Sequence, residues 1–121
     1  MNNKVFKKAY IYHICNMIDD MIYVGKTIDI DKRWEAHLYH AKTKYITCGA
    51  TRHMIKIGCQ YFYFYIVCEV DYIDDADFGK IEATEINKIS IDKSLNRARL
   101  LYQLNTGFKD DYKVKYYHID K

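Results

Sequence analysis

Two runs of aromatic and β-branched residues lie near the start of the chain, at residues 9–15 and 21–25, with a polar segment over residues 16–20 between them. Such residues favour strands, and a short polar connection between two strands is typical of a hairpin. The pattern therefore predicts an antiparallel β-hairpin. Because side chains alternate along a strand, Tyr12 and Tyr23 can meet on one face of this hairpin.

A pattern of helical period follows the hairpin. Residues 26–41 carry apolar side chains three or four positions apart, which predicts a helix with one apolar stripe. Thr27 or Asp29 is placed to cap its start. Arg33 and His37 are four residues apart, so both lie on the flank of the stripe. The stripe contains Ile30, Trp34, Leu38 and Ala41.

Helical and strand patterns continue along the chain. A second helix is predicted over residues 50–57, where Gly58 is a natural C-terminal glycine. Residues 61–70 are aromatic and β-branched, and they predict the central or third strand of a sheet. Toward the C-terminus a weaker pattern predicts a short helix over residues 97–104 and a strand over residues 114–119.

A third helix is predicted over residues 74–91, with Asp75 or Asp77 placed at its start. Its apolar positions recur at helical spacing, and Glu82 and Glu85 lie on adjacent stripes of the same helix. The apolar positions are Phe78, Ile81, Ile86 and Ile89.

These elements predict a single α+β domain in the 121 residues, with a small three-stranded mixed or antiparallel sheet flanked by helices. Hydrophobic residues make up 50% of the chain, which excludes a chain too polar to form a core. The net charge of +3 permits a nucleic-acid partner without requiring one. Scattered cysteines predict neither disulfides nor a structural zinc site. The sequence has no signal peptide and no membrane-spanning segment, so we expect an intracellular protein without membrane association. The expected location is the cytoplasm, or the nucleus if the source is a eukaryote or its virus.

Side chains suited to phosphodiester hydrolysis follow one another through the predicted elements. That reaction needs a group that takes a proton from the attacking water, and positive charge for the phosphate oxygens. The candidates are Tyr12, Tyr23, Lys26, Arg33, His37 and a glutamate of the third helix.

These candidates belong to a series of short motifs. The motifs are Tyr10-Ile11-Tyr12, Tyr23-Val24-Gly25-Lys26-Thr27, Arg33-Trp34 with His37, Tyr61-Phe62-Tyr63-Phe64, Glu85 to Ile89, and Leu95-Asn96. Their order resembles that of the GIY-YIG nuclease family. The resemblance covers about residues 9–96 of one domain, residues 1–121, and leaves residues 97–121 as a C-terminal extension. It implies a small sheet flanked by helices, an active site in a groove across the sheet, and DNA as the substrate.

The resemblance also implies roles for the two tyrosines. Tyr12 acts on the attacking water as general base or positions it, and Tyr23 hydrogen-bonds near the scissile phosphate. The pKa of an ordinary tyrosine is about 10, so a base role requires a neighbouring cation or a metal ion. Lys26 is the predicted helper. The alternative is that both tyrosines only fill a strand face, since the chain contains 13 tyrosines.

Other residues match the family's phosphate-binding positions, each with a structural alternative. Lys26 and Arg33 supply positive charge, and the less favoured alternative for Arg33 is a solvated helix residue. Gly25 leaves room for the phosphate, or serves a turn. His37 orients a tyrosine, touches phosphate or is structural. Asn96 binds a phosphate oxygen or holds a loop, and a capping or turn role is an equal alternative.

The metal ligand is predicted on the third helix. Glu85 lies between Ile81 and Ile89 at helical spacing, so its carboxylate faces the sheet, where burial without a partner is costly. A Mg²⁺ ion, for which Mn²⁺ can substitute, removes that cost. Glu85 also fits the family's glutamate motif. We therefore expect Glu85 to be the catalytic metal ligand, with Glu82 as the less favoured choice.

The sequence departs from the family pattern at Tyr10, which stands where the family has glycine. A bulky side chain here is tolerated at an edge, or narrows the groove and changes the substrate. The alternative to an enzyme is thus a catalytically inactive module of the same fold that binds DNA or a protein.

Together these features predict a free-standing Mg²⁺-dependent DNA endonuclease that leaves 5′-phosphate and 3′-hydroxyl ends. A homing-type, mobile-element or viral nuclease is favoured. A repair or structure-specific nuclease is the alternative, although such relatives carry further domains or a zinc module. One active site cuts one strand at a time, so a double-strand break requires a dimer, a second binding event or reorientation.

Overall fold

The computed structural model describes residues 5–96 and 107–117, and the strands and helices predicted within them are present. The helix predicted over residues 97–104 lies outside the described residues. Of the helices described, none is long and apolar enough to cross a membrane. The elements are β1 (Lys7–Asn16), β2 (Tyr23–Thr27), α1 (Ile30–Lys42), α2 (Gly49–Ile57), a 3₁₀ turn (Cys59–Tyr61), β3 (Phe62–Tyr72), α3 (Asp75–Asn87) and β4 (Tyr112–Tyr116).

The sheet has four antiparallel strands in the order β2-β1-β3-β4, one strand more than predicted. The fourth strand is β4, which corresponds to the strand predicted over residues 114–119, of which residues 118 and 119 lie outside the described residues. It pairs with the edge of β3 and so places part of the C-terminal extension in the sheet. Asp77 in α3 is fully buried and accepts the backbone N–H groups of Lys109 at 2.7 Å and Asp110 at 2.9 Å. These bonds anchor the segment that leads into β4.

Each face of the sheet carries its own hydrophobic core, because side chains alternate along the strands. The helices α1 and α2 cover one face and α3 covers the other, which confirms a sheet flanked by helices. The core on the α3 side contains Ala9, Ile11, Val24, Cys68, Val70, Tyr72, Phe78, Ile81 and Ile86. The core on the side of α1 and α2 contains Tyr12, Ile14, Ala41, Ala50, Met54 and Phe62.

The helix ends have identifiable causes. Asp29 caps α1 by accepting the backbone N–H of Lys32 at 3.1 Å, and Gly58 ends α2 with a φ of 123° that favours glycine. Asp74, rather than Asp75 or Asp77, caps α3. That helix ends at Asn87 instead of residue 91, because residues 93–95 leave it to pair with Ile22 beside β2.

Candidate active site

The hairpin of β1 and β2 brings Tyr12 and Tyr23 onto one face, as the alternation of side chains predicts. Its register places Tyr12 opposite Gly25 and Ile14 opposite Tyr23, with 6.4 Å between the two ring centroids. Tyr12 is 2% exposed, and its hydroxyl lies 2.8 Å from Nε2 of His37 in α1. Burial and this hydrogen bond favour the role of His37 as the residue that orients Tyr12.

Gly25 is required by the packing of Tyr12 across the strand pair. A Cβ atom at this position would lie 2.3 Å from both Cζ and Oη of Tyr12. Packed side chains do not approach so closely. The glycine therefore makes room for the tyrosine itself, a reason that the two alternatives from the sequence, a turn and the approach of phosphate, did not include.

Cys48 belongs to the site, although sequence reasoning missed it. It is the N-cap residue of α2, and its sulphur lies 4.0 Å from Nδ1 of His37. Burial raises the pKa of the thiol, but hydrogen bonds from His37 and from the backbone N–H groups of Thr51 and Ala50 outweigh burial and lower that pKa to about 6. The one signal in the sequence was a cysteine two residues before a predicted helix, near a helix start that stabilises a thiolate.

Both tyrosines of the site hold their protons at neutral pH. Burial raises the pKa of Tyr12 far above its usual value, and the positive charge of Arg33 only partly opposes this rise. Burial also raises the pKa of Tyr23, and the neighbouring Cys48 adds to the effect. Tyr12 can therefore accept a proton from water only if its own proton moves on to His37.

Lys26 and Arg33 line one cavity of about 300 Å³ at the end of β2. Two cations at one cavity suit the charged oxygens of a phosphate. Lys26 lies opposite Ile11, on the sheet face that α3 covers, and its Nζ is 3.4 Å from Oε1 of Glu82. The expected help of Lys26 to Tyr12 is thus not what the contacts show, since Lys26 pairs with a carboxylate.

The two glutamates of α3 have different surroundings. Glu85 is buried, but Nζ of Lys88 lies 2.6 Å and the Tyr116 hydroxyl 2.8 Å from its Oε2. The argument that Glu85 needs a metal ion to offset its burial is therefore wrong, because protein partners already compensate its charge. The side chain of Glu82 is 13% exposed, and its Oε1 lies 3.4 Å from Nζ of Lys26. Burial therefore gives no reason to prefer Glu85, and the choice between the two glutamates as metal ligand stays a prediction.

Asn96 has a structural partner in the edge strand. Its Oδ1 accepts the backbone N–H of Val24 at 2.9 Å, and its Nδ2 donates to the carbonyl of Val24 at 2.8 Å. Both ends of the amide are thus engaged with β2. Among the alternatives from the sequence, these contacts favour the holding of a loop over the binding of a phosphate oxygen.

Tyr10, the departure from the family pattern, is half-buried in β1, opposite Thr27 of β2 and Glu69 of β3. The hydrogen bond between Tyr12 and His37 is formed with this bulky side chain in place. The substitution is therefore compatible with an assembled cluster.

A metal ion at Glu82 would have one protein ligand. Among residues 5–96 and 107–117, no three His, Cys, Asp or Glu side chains are close enough together to hold a metal ion. Mg²⁺ does not need such a cage, because it is usually held by one or two carboxylates, by waters and by the phosphate of the substrate. The donor set around Glu82 fits that mode.

A buried tyrosine hydrogen-bonded to a histidine on one face of the sheet, and two cations that line a cavity at the end of β2, suit a domain that cleaves phosphodiester bonds. The family model of the GIY-YIG catalytic domain matches residues 8–96. The chain therefore belongs to the GIY-YIG nuclease family, whose members act on DNA. No curated protein and no solved structure matches the chain.

Proposed function

We propose that the chain is a metal-dependent DNA endonuclease that hydrolyses phosphodiester bonds to 5′-phosphate and 3′-hydroxyl ends. The observation that carries the proposal is the buried hydrogen bond between Tyr12 and His37, 2.8 Å long, on a domain of the GIY-YIG family. Within this activity we favour a homing-type, mobile-element or viral nuclease.

Proton transfer begins at Tyr12. A water molecule that attacks the phosphorus gives its proton to the Tyr12 hydroxyl, while the phenolic proton passes to Nε2 of His37. Because the pKa of Tyr12 is high, a tyrosine phenolate is unfavourable as an intermediate. Coupling of the two proton transfers means that no free phenolate forms, since the imidazole takes the phenolic proton as water gives up its own. Tyr23, on the same face, is placed to hydrogen-bond the phosphate.

Charge neutralisation comes from the cavity beside β2. Arg33 is exposed and presents a planar fork to two phosphate oxygens, and Lys26 adds a second positive charge. These cations stabilise the charge that develops on the phosphate during attack. Glu82 would hold Mg²⁺ or Mn²⁺, which when bound would neutralise charge on the leaving oxygen.

Plasmid nicking tests the proposal, and the substitution of each of two glutamates in α3 by glutamine gives a matched pair of variants. The parent protein is expected to nick supercoiled DNA with Mg²⁺ or Mn²⁺ and not with EDTA. Glu82→Gln should reduce the rate by about 100-fold, as loss of a charged group at a reacting centre does. Glu85→Gln, three residues away, should cut within about three-fold of the parent, because its carboxylate contacts Lys88 and Tyr116.

Two results would count against this assignment. Folded parent protein that binds DNA without metal-dependent cleavage would show a binding module instead of an enzyme. If Glu85→Gln were inactive and Glu82→Gln active, Glu85 and not Glu82 would be assigned as the metal ligand. Circular dichroism of each variant shows whether a loss of nicking activity results from a loss of folded structure.

A further inference from the structure

Cys48 lies against the catalytic cluster, and the reaction described above does not use it. Its sulphur is 4.0 Å from Nδ1 of His37 and 3.9 Å from Oγ1 of Thr51. The neighbouring Cys48 also raises the pKa of Tyr23. Cys48 thus contacts the histidine and acts electrostatically on one of the two tyrosines of the cluster.

The proton on His37 decides whether the imidazole can serve Tyr12. A neutral imidazole has one N–H and one bare nitrogen. Nε2 can accept the phenolic proton of Tyr12 only when the N–H is at Nδ1, and that N–H needs an acceptor in a site where His37 is 5% exposed. Among the described residues, the Cys48 sulphur is the hydrogen-bonding partner found for Nδ1.

We propose that Cys48 is a positioning residue for the nuclease reaction, the third member of a relay in which Tyr12 hands its proton to His37 and Cys48 accepts the hydrogen bond of Nδ1–H. This inference rests on the proposed function. When water gives a proton to the Tyr12 oxygen, the phenolic O–H bond breaks and an N–H bond forms at Nε2. The resulting imidazolium is stabilised by the sulphur beside Nδ1.

The surroundings of Cys48 favour the anionic sulphur that this role uses. The sulphur is at the start of α2, where unpaired backbone N–H groups and the helix dipole stabilise negative charge. The thiol has a pKa of about 6, because hydrogen bonds from His37 and from backbone N–H groups outweigh the opposing effect of burial. A thiolate then occupies the place that a carboxylate takes behind the histidine of a Ser-His-Asp triad.

Three substitutions at Cys48 separate the relay from a simple capping role. Serine caps a helix well but does not ionise, alanine does neither, and aspartate both caps and carries negative charge. We expect Cys48→Ser and Cys48→Ala to lower kcat by about ten-fold or more, with little change in KM. Cys48→Asp should retain activity within about five-fold of the parent. Serine and alanine variants as active as the parent would overturn the proposal, as would an aspartate variant as slow as alanine.

Imidazole ¹⁵N chemical shifts of His37 give a readout that helix capping does not change. Spectra of the DNA-free parent should show a protonated Nδ1 and an unprotonated Nε2. Spectra of Cys48→Ala should show a mixture of both tautomers. A His37 with its proton on Nε2 in the parent would overturn the relay. This measurement needs no DNA, so a parent that fails to cut DNA but shows the Nδ1–H form contradicts the proposed function while supporting the contact with Cys48.

Discussion

The ring of Tyr12 lies directly over Gly25, so these two residues form one unit of the site. The tyrosine hydroxyl reaches His37 from a position that only a residue without a Cβ leaves free. No positive φ is found at Gly25, so the need for glycine comes from packing and not from backbone conformation. A mutation at Gly25 therefore acts through Tyr12 on the geometry of the proposed active site.

Gly25→Ala is expected to displace Tyr12 and to lose activity. The added Cβ would lie 2.3 Å from the tyrosine ring, and such overpacking costs about 2 kcal/mol of stability. Displacement of the hydroxyl by about 1 Å should lower the nicking rate by about 100-fold. Gly107→Ala is the control, because no atom lies within 4 Å of a Cβ there. Equal nicking rates and equal urea midpoints for the two variants would contradict this account.

Helical spacing alone could not decide between Glu82 and Glu85. Both residues project from α3 toward the sheet, and the periodic pattern identifies that face without showing which strand each carboxylate meets. Glu82 meets the end of β2 near Lys26, whereas Glu85 meets Lys88 and Tyr116. The choice depends on where along the sheet the helix packs, and that is a property of the assembled domain.

At the scale of elements, the edge strand β2 is completed by the chain that follows α3. The backbone of Ile22 bonds to Lys93 and Leu95, and the amide of Asn96 bonds to both backbone groups of Val24. Asn96 thus takes the place of a neighbouring strand. Because β2 carries Tyr23 and Gly25, this contact holds the hairpin of β1 and β2 in register.

Asn96→Ala is expected to loosen this edge. Loss of two hydrogen bonds to the buried Val24 should destabilise the fold by about 1–3 kcal/mol and speed amide hydrogen exchange at Val24. Asn87→Ala is the matched control, since Asn87 donates one hydrogen bond to Ala83 within its own helix. Unchanged exchange at Val24 in Asn96→Ala would show that the asparagine does not hold the edge.

At the scale of the whole molecule, a histidine buried on one face of the sheet makes the stability of the fold depend on pH. On the α3 face, His13 bonds to the Tyr65 hydroxyl at 2.7 Å. Burial lowers the pKa of His13 to about 4, with Glu85 opposing and Lys88 adding to the shift. The unfolded chain binds this proton near pH 6.5, so the folded state is relatively destabilised as the pH falls from 6.5 toward 4.

His13→Gln should reduce the acid sensitivity of the fold. The stability that comes from keeping His13 neutral is fully present above pH 6.5 and is lost on acidification, whereas glutamine does not titrate. Between pH 7 and 4.5, the free energy of unfolding should fall by about 2 kcal/mol less in the variant than in the parent. Urea titrations at the two pH values measure this difference, and parallel losses in both proteins would contradict it.

The sequence by itself determined the order and type of the elements, the pairing of Tyr12 and Tyr23 on one strand face, and the resemblance to a nuclease family. These features are local, since they depend on side-chain alternation, helical period and short motifs. Only the tertiary structure shows which groups these side chains contact. His37 contacts Cys48, Asn96 bonds to Val24, and Glu85 is paired with other protein groups. Such partners are brought together from distant parts of the chain by the packing of helices on the sheet, which no local pattern encodes.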